Sequence, residues 1–157
     1  MAKINNNFKS FNQQFHFLSS RKFVALPHRG AHFFSKDNSD KYLENTHSAF
    51  SKAVELGFTH IETDVHSSKD SVPYVMHDPT LKRLTGENIA LKELTSKDIG
   101  KIRLKGSHVI PRLEETLEEF SSICFNIDAK SWEVTGPLTQ VINLSLIHIS
   151  EPTRRIH

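Results

Sequence analysis

The length and composition of the chain indicate one soluble globular domain. The chain has 157 residues, of which 37% are hydrophobic and 24% are charged, and its formal net charge is +2. One domain usually takes ~100–200 residues, and so small a net charge gives no reason to expect nucleic-acid binding. No apolar run approaches the ~18 residues of a membrane-spanning helix, so we expect no transmembrane segment. The single cysteine, Cys124, excludes an internal disulfide.

Residues 1–22 predict a polar N-terminal arm that precedes the domain. They mix Asn, Gln, Ser and Lys with scattered Phe, and the apolar run Phe15–Leu18 is shorter than the ~7–15 residues of a secretory signal. Because no signal is recognised and the cysteine is unpaired, we expect a cytoplasmic protein. The sequence predicts no oligomeric state.

Strand and helix patterns alternate from residue 23 onward. In chain order we predict a strand at Phe23–Leu26, a helix that begins at Asn45 or Thr46 and stops at Gly57, strands at Phe58–His66 and Val72–Met76, helices at Leu91–Ile102 and Leu113–Phe120, and a strand at Cys124–Ile127. Thr95 or Ser96 is a possible cap inside the segment Leu91–Ile102. Strands that alternate with helices predict a parallel α/β sheet or barrel. In such folds, functional sites form at the ends of the strands.

Two acidic residues lie on one predicted strand. Glu62 and Asp64 are two residues apart, so their side chains point to the same face. Strands of a parallel sheet are normally apolar on both faces, and carboxylate oxygens are ligands for Mg²⁺ and Ca²⁺. The pair therefore suggests a cation site, and two solvated acids on an exposed strand face are the alternative.

Two histidines and several charged residues follow predicted strand ends. His28 and His77 can act as general acid and base near neutral pH, and a packing role is the alternative for each. Arg29 can bind an oxyanion through its planar fork, and Lys130 can contact a phosphate oxygen as a point charge. Glu44 can orient Arg29 or ligate a metal. Surface ion pairs and solvated charges are the alternatives for these three residues.

The order of these motifs is more informative than any one of them. The chain resembles the glycerophosphodiester phosphodiesterase family over residues 23–131, through His28-Arg29-Gly30, Glu44-Asn45-Thr46, Ala49-Phe50-x-x-Ala53-x-x-x-Gly57, Ile61-Glu62-x-Asp64-Val65, Ser68-Lys69-Asp70, His77-Asp78-Pro79-Thr80-Leu81-x-Arg83, Ile110-Pro111-x-Leu113-Glu114-Glu115 and Asn126-Ile127-Asp128-x-Lys130.

The resemblance implies a TIM (β/α)8 barrel that hydrolyses glycerophosphodiesters to glycerol 3-phosphate and an alcohol. It implies one divalent cation, Ca²⁺ or Mg²⁺, held by the acids that match the family's ligands: Glu62, Asp64 and Asp128. It further implies that His28 and His77 are the acid–base pair, without showing which residue is the acid. Arg29, Lys130 and Glu44 match residues beside the phosphate. The implied partner is a small-molecule glycerophosphodiester, and the sequence does not define its alcohol.

Two residues depart from the family's pattern, and two alternative interpretations remain open. Ser71 stands in a turn that often carries Gly, and Asp128 stands where many relatives carry Glu. A related barrel phosphodiesterase or lyase that acts on lysophospholipids or sphingomyelin remains an alternative function. A non-catalytic fragment is the third interpretation.

The chain is shorter than a complete (β/α)8 barrel, which typically needs ~250 residues. We therefore expect a truncated half-barrel of about three to four βα units. We assign residues 23–144 to a partial phosphodiesterase domain and residues 145–157 to a tail that does not resemble the family. The tail resembles translated sequencing-adapter read-through, so His148 and His157 carry no functional weight. We expect the isolated chain to be marginally stable and its activity to depend on completion of the barrel.

Overall fold

The computed structural model describes residues 24–34, 40–105 and 107–150 of the chain. The predicted arm at 1–22, Phe23 and the end of the predicted tail at 151–157 lie outside the described residues. The regular elements are, in chain order, α1 (His47–Glu55), β1 (His60–Ser67), β2 (Pro73–Val75), α2 (Lys82–Thr85), α3 (Ser96–Ile99), α4 (Leu113–Glu119), β3 (Cys124–Ala129) and α5 (Trp132–Ser150). Short 3₁₀ turns occupy His32–Phe34, Asp40–Tyr42 and Leu91–Glu93.

The sheet has β1 at its centre, in the order β2-β1-β3. β1 and β3 run parallel, and their register pairs Asp64 with Asp128. Residues that face each other across two strands carry their side chains on the same side of the sheet. The two aspartates therefore lie side by side, as their places in the sequence motifs predict.

The predicted first strand is reduced to a single bridge. Residues 24–27 form no regular strand, and His28 makes an isolated parallel bridge to Glu62. Two hydrogen bonds define the bridge: the Arg29 N–H donates to the Glu62 carbonyl, and the Glu62 N–H donates to the Pro27 carbonyl, each over 3.1 Å. Pro27 has no N–H to donate, which limits the pairing on this segment. The predicted direction is correct, and the predicted strand at Phe23–Leu26 is wrong over its described residues.

The prediction of a parallel sheet is also wrong for β2, which pairs antiparallel to β1 with Val65 opposite Val75. A parallel connection needs about a dozen residues or more, whereas only a tight turn separates Ser67 from Pro73. Ser71 adopts the left-handed conformation that this turn needs, with φ of 62°. The hairpin returns the chain alongside the middle of β1, where the Met76 N–H donates to the Asp64 carbonyl over 2.9 Å.

The helices agree with the sequence where the apolar periodicity is long. α1 begins after Thr46, whose side chain accepts a hydrogen bond from the Ala49 N–H, and the chain leaves it through Gly57 at φ of 84°. α4 and β3 also lie where predicted. The segment Leu91–Ile102 is not one continuous helix: a 3₁₀ turn and α3 occupy it. Thr95, one of the two caps predicted inside the segment, begins α3.

Two elements fall outside the sequence predictions. α2 is a four-residue helix that the sequence pattern does not reveal, and α5 runs through the predicted boundary at residue 144. In the part of the chain that the structure describes, no helix meets the length and hydropathy required to cross a membrane.

Two clusters of buried apolar side chains lie on opposite sides of β2. The first cluster comprises Ala31, Phe50, Ala53, Ile61, Val65, Val75, Leu113, Phe120, Val134 and Val141. The second cluster comprises Leu43, Tyr74, Met76, Leu81, Leu84, Leu91, Ile99, Leu104 and Ile110. Since neighbouring residues of a strand point to opposite faces, Val75 enters the first cluster while Tyr74 and Met76 enter the second.

Candidate active site

The predicted site residues meet around Asp64, in the middle of the central strand. Its side chain is fully buried, and it is contacted from three directions by Arg29, Asn45 and Lys130. Burial of an unpaired carboxylate is costly, so the three polar partners are needed to keep Asp64 ionised inside the fold.

Arg29 is held in a left-handed backbone conformation, with φ of 56°. Its N–H donates to both the carbonyl and the carboxylate Oε2 of Glu62, at 3.1 and 3.0 Å. Its guanidinium lies 3.3 Å from Asp64 Oδ2 through Nε and donates from Nη1 to Glu44 Oε1 over 3.0 Å. A strained non-glycine backbone at a functional site is kept only where its surroundings fix it. These bonds fix Arg29 against Glu62, Asp64 and Glu44.

Asn45 connects Asp64 to the segment before α1. Its amide donates from Nδ2 to Asp64 Oδ2 over 2.9 Å, and its Oδ1 accepts from the Thr63 hydroxyl over 2.9 Å. Asn45 is 3% exposed and has φ of 56°, a conformation that Asn tolerates better than most residues. It is therefore a site residue, and Thr46 alone serves as the cap of α1.

Lys130 follows β3 and places its ammonium between two carboxylates. Its Nζ lies 2.8 Å from Asp64 Oδ1 and 2.6 Å from Asp128 Oδ2. Burial lowers the pKa of Lys130, but the two carboxylates outweigh that effect and raise it above its usual value. For Asp64, burial raises the pKa, but Lys130, Asn45 and Arg29 together hold it below its usual value. Both groups are therefore charged at neutral pH.

The two predicted histidines differ in their surroundings. His28 has a side chain that is 63% exposed, and its Nε2 lies 3.8 Å from Glu62 Oε2. His77 is more enclosed, and its Nδ1 lies 2.8 Å from Asp78 Oδ1. Because β2 runs antiparallel, His77 reaches the centre of β1 by the return of a hairpin. His77 follows the C-terminal end of β2, as predicted, but this strand runs antiparallel to β1.

Arg83 extends the contacts of His77 toward Glu44. It donates to Asp78 Oδ2 from Nε and to Glu44 Oε1 from Nη2, both over 2.6 Å. Hydrogen bonds from Arg83 hold the pKa of Asp78 below its usual value. Burial raises the pKa of Glu44, but Arg83 and Arg29 outweigh that effect and lower it.

The three predicted metal ligands have the chemistry of a site for a hard cation. Glu62, Asp64 and Asp128 supply carboxylate oxygens, as Ca²⁺ and Mg²⁺ require. One of these, Asp64 Oδ1, is buried and makes no hydrogen bond, although the Lys130 ammonium lies 2.8 Å away. In the described ranges, no three His, Cys, Asp or Glu side chains form a group that could hold an ion. The donor atoms are of the type that a hard cation takes, but the Lys130 ammonium lies between two of the three carboxylates.

The structure thus brings together most of the residues selected from the sequence. Arg29, Glu44, Asp64, Asp128 and Lys130 form one connected set of ion pairs. Glu62 joins it through the Arg29 N–H, and His77 joins it through Asp78 and Arg83. His28 contacts the set through Glu62 alone among the contacts described.

Three residues with clear roles in this set were not selected from the sequence. The sequence predicts Asn45 as a possible helix cap, and it places Asp78 and Arg83 in a motif without assigning a role to either. Their presence in the motif segments was the available signal. Their roles depend on partners up to 39 residues away, which spacing alone does not reveal.

Comparison with known proteins identifies the family of the chain. A model of the glycerophosphoryl diester phosphodiesterase family matches residues 28–144. The chain is 33% identical over 125 residues to the "Probable glycerophosphodiester phosphodiesterase 2" of Mycobacterium tuberculosis, covering 80% of this chain and 45% of that protein. It is 33% identical over 112 residues to the human lysophospholipase D GDPD1, covering 63% of this chain and 36% of that protein.

A solved structure gives the same result. The crystal structure of glycerophosphodiester phosphodiesterase from Thermotoga maritima aligns with a TM-score of 0.63 at 33% identity, over 77% of this chain and 50% of that one. The chain therefore spans half or less of the length of these relatives. Structures of this family are TIM barrels, and the three-stranded sheet is consistent with part of such a barrel. Because the family model matches well over half of the residues, the chain belongs to the glycerophosphoryl diester phosphodiesterase family.

Proposed function

We propose that this site hydrolyses glycerophosphodiesters to glycerol 3-phosphate and an alcohol. The observation that carries the proposal is the convergence of two cations, Arg29 and Lys130, on the buried Asp64. Cations held in fixed positions favour the negative charge that develops on phosphoryl oxygens during the reaction. Membership of the phosphodiesterase family supports the same chemistry.

Arg29 and Lys130 bind the phosphate in this proposal. Glu44 and Asp64 hold the Arg29 guanidinium from two sides, so the fork keeps one orientation toward an incoming anion. Asp64 and Asp128 do the same for the Lys130 ammonium. The carboxylates thus orient the cations before substrate arrives, which reduces the cost of ordering them during the reaction.

His77 is the general base in this proposal. With Asp78 accepting a hydrogen bond from Nδ1–H, the neutral imidazole presents the Nε2 lone pair to the substrate. Nε2 takes a proton from water or from the glycerol 2-hydroxyl, and the attacking oxygen forms a bond to phosphorus. On the 2-hydroxyl route the first product is a cyclic phosphate, which water then opens.

His28 is the general acid in this proposal. It is the more exposed of the two imidazoles, and its Nε2 lies 3.8 Å from Glu62 Oε2. As the bond between phosphorus and the alcohol oxygen breaks, His28 gives that oxygen its proton. The alcohol leaves neutral, and the phosphate monoester remains bound to Arg29 and Lys130.

A divalent cation belongs to the proposal as the cofactor. The family generally depends on a divalent metal, and the ligands here would be Glu62, Asp64 and Asp128, with Ca²⁺ and Mg²⁺ both suited to oxygen donors. When bound, it would supply positive charge to the phosphoryl oxygens. The protein's own part would be to hold the three carboxylates on the adjacent strands β1 and β3.

Hydrolysis of lysophospholipids is the second candidate function. It rests on the 33% identity to a human protein that is named for lysophospholipase D activity. Both substrates carry the same phosphodiester next to glycerol, so the same side chains serve either reaction. The two substrates differ in the acyl chain, which only the lysophospholipid carries. Turnover rates measured on both substrates therefore distinguish the two candidate functions.

The first experiment measures release of glycerol 3-phosphate from glycerophosphocholine, with Mg²⁺ or Ca²⁺, by the chain alone and by the chain extended to a full barrel. Choline release from lysophosphatidylcholine is measured beside it, together with binding of glycerol 3-phosphate by calorimetry. We expect product release that His28→Ala and His77→Ala each reduce at least ~100-fold. His108→Ala should leave it unchanged, because the contact described for this half-buried side chain is with the Asp40 carbonyl, away from the site. Faster turnover of lysophosphatidylcholine than of glycerophosphocholine would favour the second candidate function, hydrolysis of lysophospholipids. Absence of both turnover and product binding would overturn the proposal and favour a non-catalytic fragment.

A change of leaving group separates the roles of the two histidines. p-Nitrophenolate needs no protonation to leave, so a glycerophosphodiester with this group bypasses the general acid. We expect it to restore the activity of His28→Ala and to leave that of His77→Ala low. The reverse pattern would exchange the assigned roles.

A further inference from the structure

Arg83 binds two carboxylates that belong to separate parts of the site. Its Nε and Nη2 donate to the two oxygens of Asp78 over 2.6 and 3.2 Å. Its Nη2 and Nη1 donate to the two oxygens of Glu44 over 2.6 and 3.2 Å. Both edges of one guanidinium are therefore engaged, and the segment before α1 is tied to the segment after β2.

Each of these carboxylates in turn contacts a residue of the proposed reaction. Asp78 Oδ1 lies 2.8 Å from Nδ1 of His77, and Glu44 Oε1 accepts from Nη1 of Arg29 over 3.0 Å. The result is one continuous chain of contacts in which Arg83 stands between the proposed base and the proposed phosphate ligand.

We propose that Arg83 is a positioning residue that fixes the orientation and tautomer of His77 through Asp78. This inference rests on the function proposed above, because it assigns Arg83 a part in the work of His77. With Asp78 held by a bidentate pair, its Oδ1 faces Nδ1 of His77, and the ring keeps its proton on Nδ1. Nε2 then remains free to accept the proton from the attacking oxygen.

The geometry distinguishes Arg83 from an ordinary surface ion pair. An isolated, exposed ion pair contributes little because solvent screens it and both side chains move. Arg83 is partly exposed, but the side chains of Glu44 and Asp78 are only 14% and 18% exposed. Both are bound through two parallel hydrogen bonds, an arrangement that adds geometric specificity. A lysine at this position could not make both pairs, since its ammonium is a single point of charge.

The local fold holds the Arg83 backbone in place. Arg83 lies on α2, between Leu81 and Leu84, and both leucines are buried in the second cluster. The Thr85 hydroxyl donates to the Leu81 carbonyl over 3.0 Å and closes this short helix. The side chain therefore extends from a fixed point toward Asp78 and Glu44.

The test records the imidazole ¹⁵N spectrum of His77 in the full chain at about pH 8, where histidines are neutral. We expect the wild-type ring to carry its proton on Nδ1, and Arg83→Gln to shift the population toward Nε2. Arg83→Lys keeps the charge but loses the fork, so we expect the same shift. Arg103→Gln is the matched control, because in the part of the chain that the structure describes this exposed arginine bonds to the carbonyls of Gly100 and Ile102.

Kinetics with glycerophosphocholine provide a second readout. We expect both Arg83 variants to lower kcat ~10–100-fold, as loss of an outer-shell partner commonly does, with little change in KM. A p-nitrophenyl leaving group should not restore them, since the defect lies in the base. If both folded variants keep the Nδ1 tautomer and the wild-type kcat, the inference is overturned while the proposed function stands. If the Arg83 variants shift the tautomer but the wild-type chain hydrolyses nothing, the proposed function fails and the positioning role stands.

Discussion

Asn45 and Asp64 are joined by a hydrogen bond of 2.9 Å between two side chains that are almost fully excluded from water. The bond satisfies one oxygen of a buried carboxylate, and Asn45 also accepts from the Thr63 hydroxyl. Removal of either partner leaves a buried polar atom without a hydrogen bond. The position of the central acid therefore depends on an amide that contacts no substrate in the proposed reaction.

Asn45→Ala should destabilise the fold by ~1–3 kcal/mol, because it leaves buried groups of Asp64 and Thr63 unsatisfied. Asn45→Gly separates this effect from backbone strain, since glycine accepts a φ of 56° without cost. We expect urea denaturation to show that Asn45→Gly is also less stable than wild type. Asn143→Ala, on an exposed face of α5, is the control and should remain within about 0.5 kcal/mol of wild type. A stability for Asn45→Gly equal to wild type would show that the amide contributes nothing.

Gly30→Ala should destabilise the fold more than Gly57→Ala, although both glycines are left-handed, at φ of 80° and 84°. A methyl group on Gly30 would lie 2.9 Å from Ala49 Cβ and from Phe50 Cδ1, whereas nothing lies within 4 Å of one on Gly57. Gly57→Ala should cost ~1–2 kcal/mol for its backbone conformation alone. Overpacking should add ~1–3 kcal/mol at Gly30.

Urea denaturation of the two glycine variants measures this difference directly. Equal losses would show that α1 moves away from Gly30 without cost. The comparison is informative because Gly30 follows Arg29, so a displaced α1 would also displace the arginine proposed to bind phosphate.

Lys130→Met should change the binding of cations and anions in opposite directions. The variant removes the ammonium that lies between Asp64 and Asp128. We expect Mg²⁺ or Ca²⁺ to bind about tenfold more tightly, which corresponds to ~1.4 kcal/mol, and glycerol 3-phosphate to bind more weakly. Calorimetry measures both. Lys101→Met is the control, since that lysine is 68% exposed and pairs with Asp98 on α3. Weaker cation binding in Lys130→Met would contradict the proposal that Asp64 and Asp128 are ligands of the cation.

Acid should remove the stabilisation that Arg83 gives to the fold. The pKa of Asp78 is lowered by its hydrogen bonds to Arg83, and that of Glu44 is lowered by both arginines against the opposing effect of burial. A carboxyl whose folded pKa is lowered binds fewer protons in the folded state than in the unfolded state. Its contribution is therefore complete above the unfolded pKa of about 4 and is lost as the pH falls through the folded value.

Thermal melting of wild type and Arg83→Met across this range provides the measurement. We expect wild type to have the higher Tm at about pH 7, and the difference to shrink below about pH 4. Arg103→Met should show no such trend. A Tm difference between wild type and Arg83→Met that stays constant down to about pH 2.5 would show that neither carboxylate contributes through Arg83.

The sequence predicts those elements whose determinants are local. The apolar spacing from Ala49 to Ala53, with Thr46 before it, defines α1. Apolar runs likewise place β1, β3 and α4. The direction of β2 was mispredicted because strand periodicity carries no information on direction. The short turn before Pro73, which forbids a parallel crossover, was the signal that could have corrected it.

The site follows the same division. Residue type and motif order select Arg29, Asp64 and Lys130, which the fold brings together. Its internal connections depend on where distant segments meet, as between Arg83 and Glu44, which are 39 residues apart. The left-handed backbone conformations of Arg29 and Asn45 also depend on contacts between segments that are distant in the sequence. They are joined by a bond of 3.0 Å from the Asn45 N–H to the Arg29 carbonyl.

The division of the apolar interior into two clusters sets an order of assembly along the chain. The second cluster draws on residues from Leu43 to Ile110, whereas the first extends from Ala31 to Val141. Contacts between nearby residues form fastest, and a growing chain folds from its N-terminal side. On the ribosome, the hairpin and α2 can therefore settle while β3 is still being synthesised. Lys130 is synthesised after every residue of the second cluster, so the pairing of Asp64 with its second cation has to wait for a later segment of the chain.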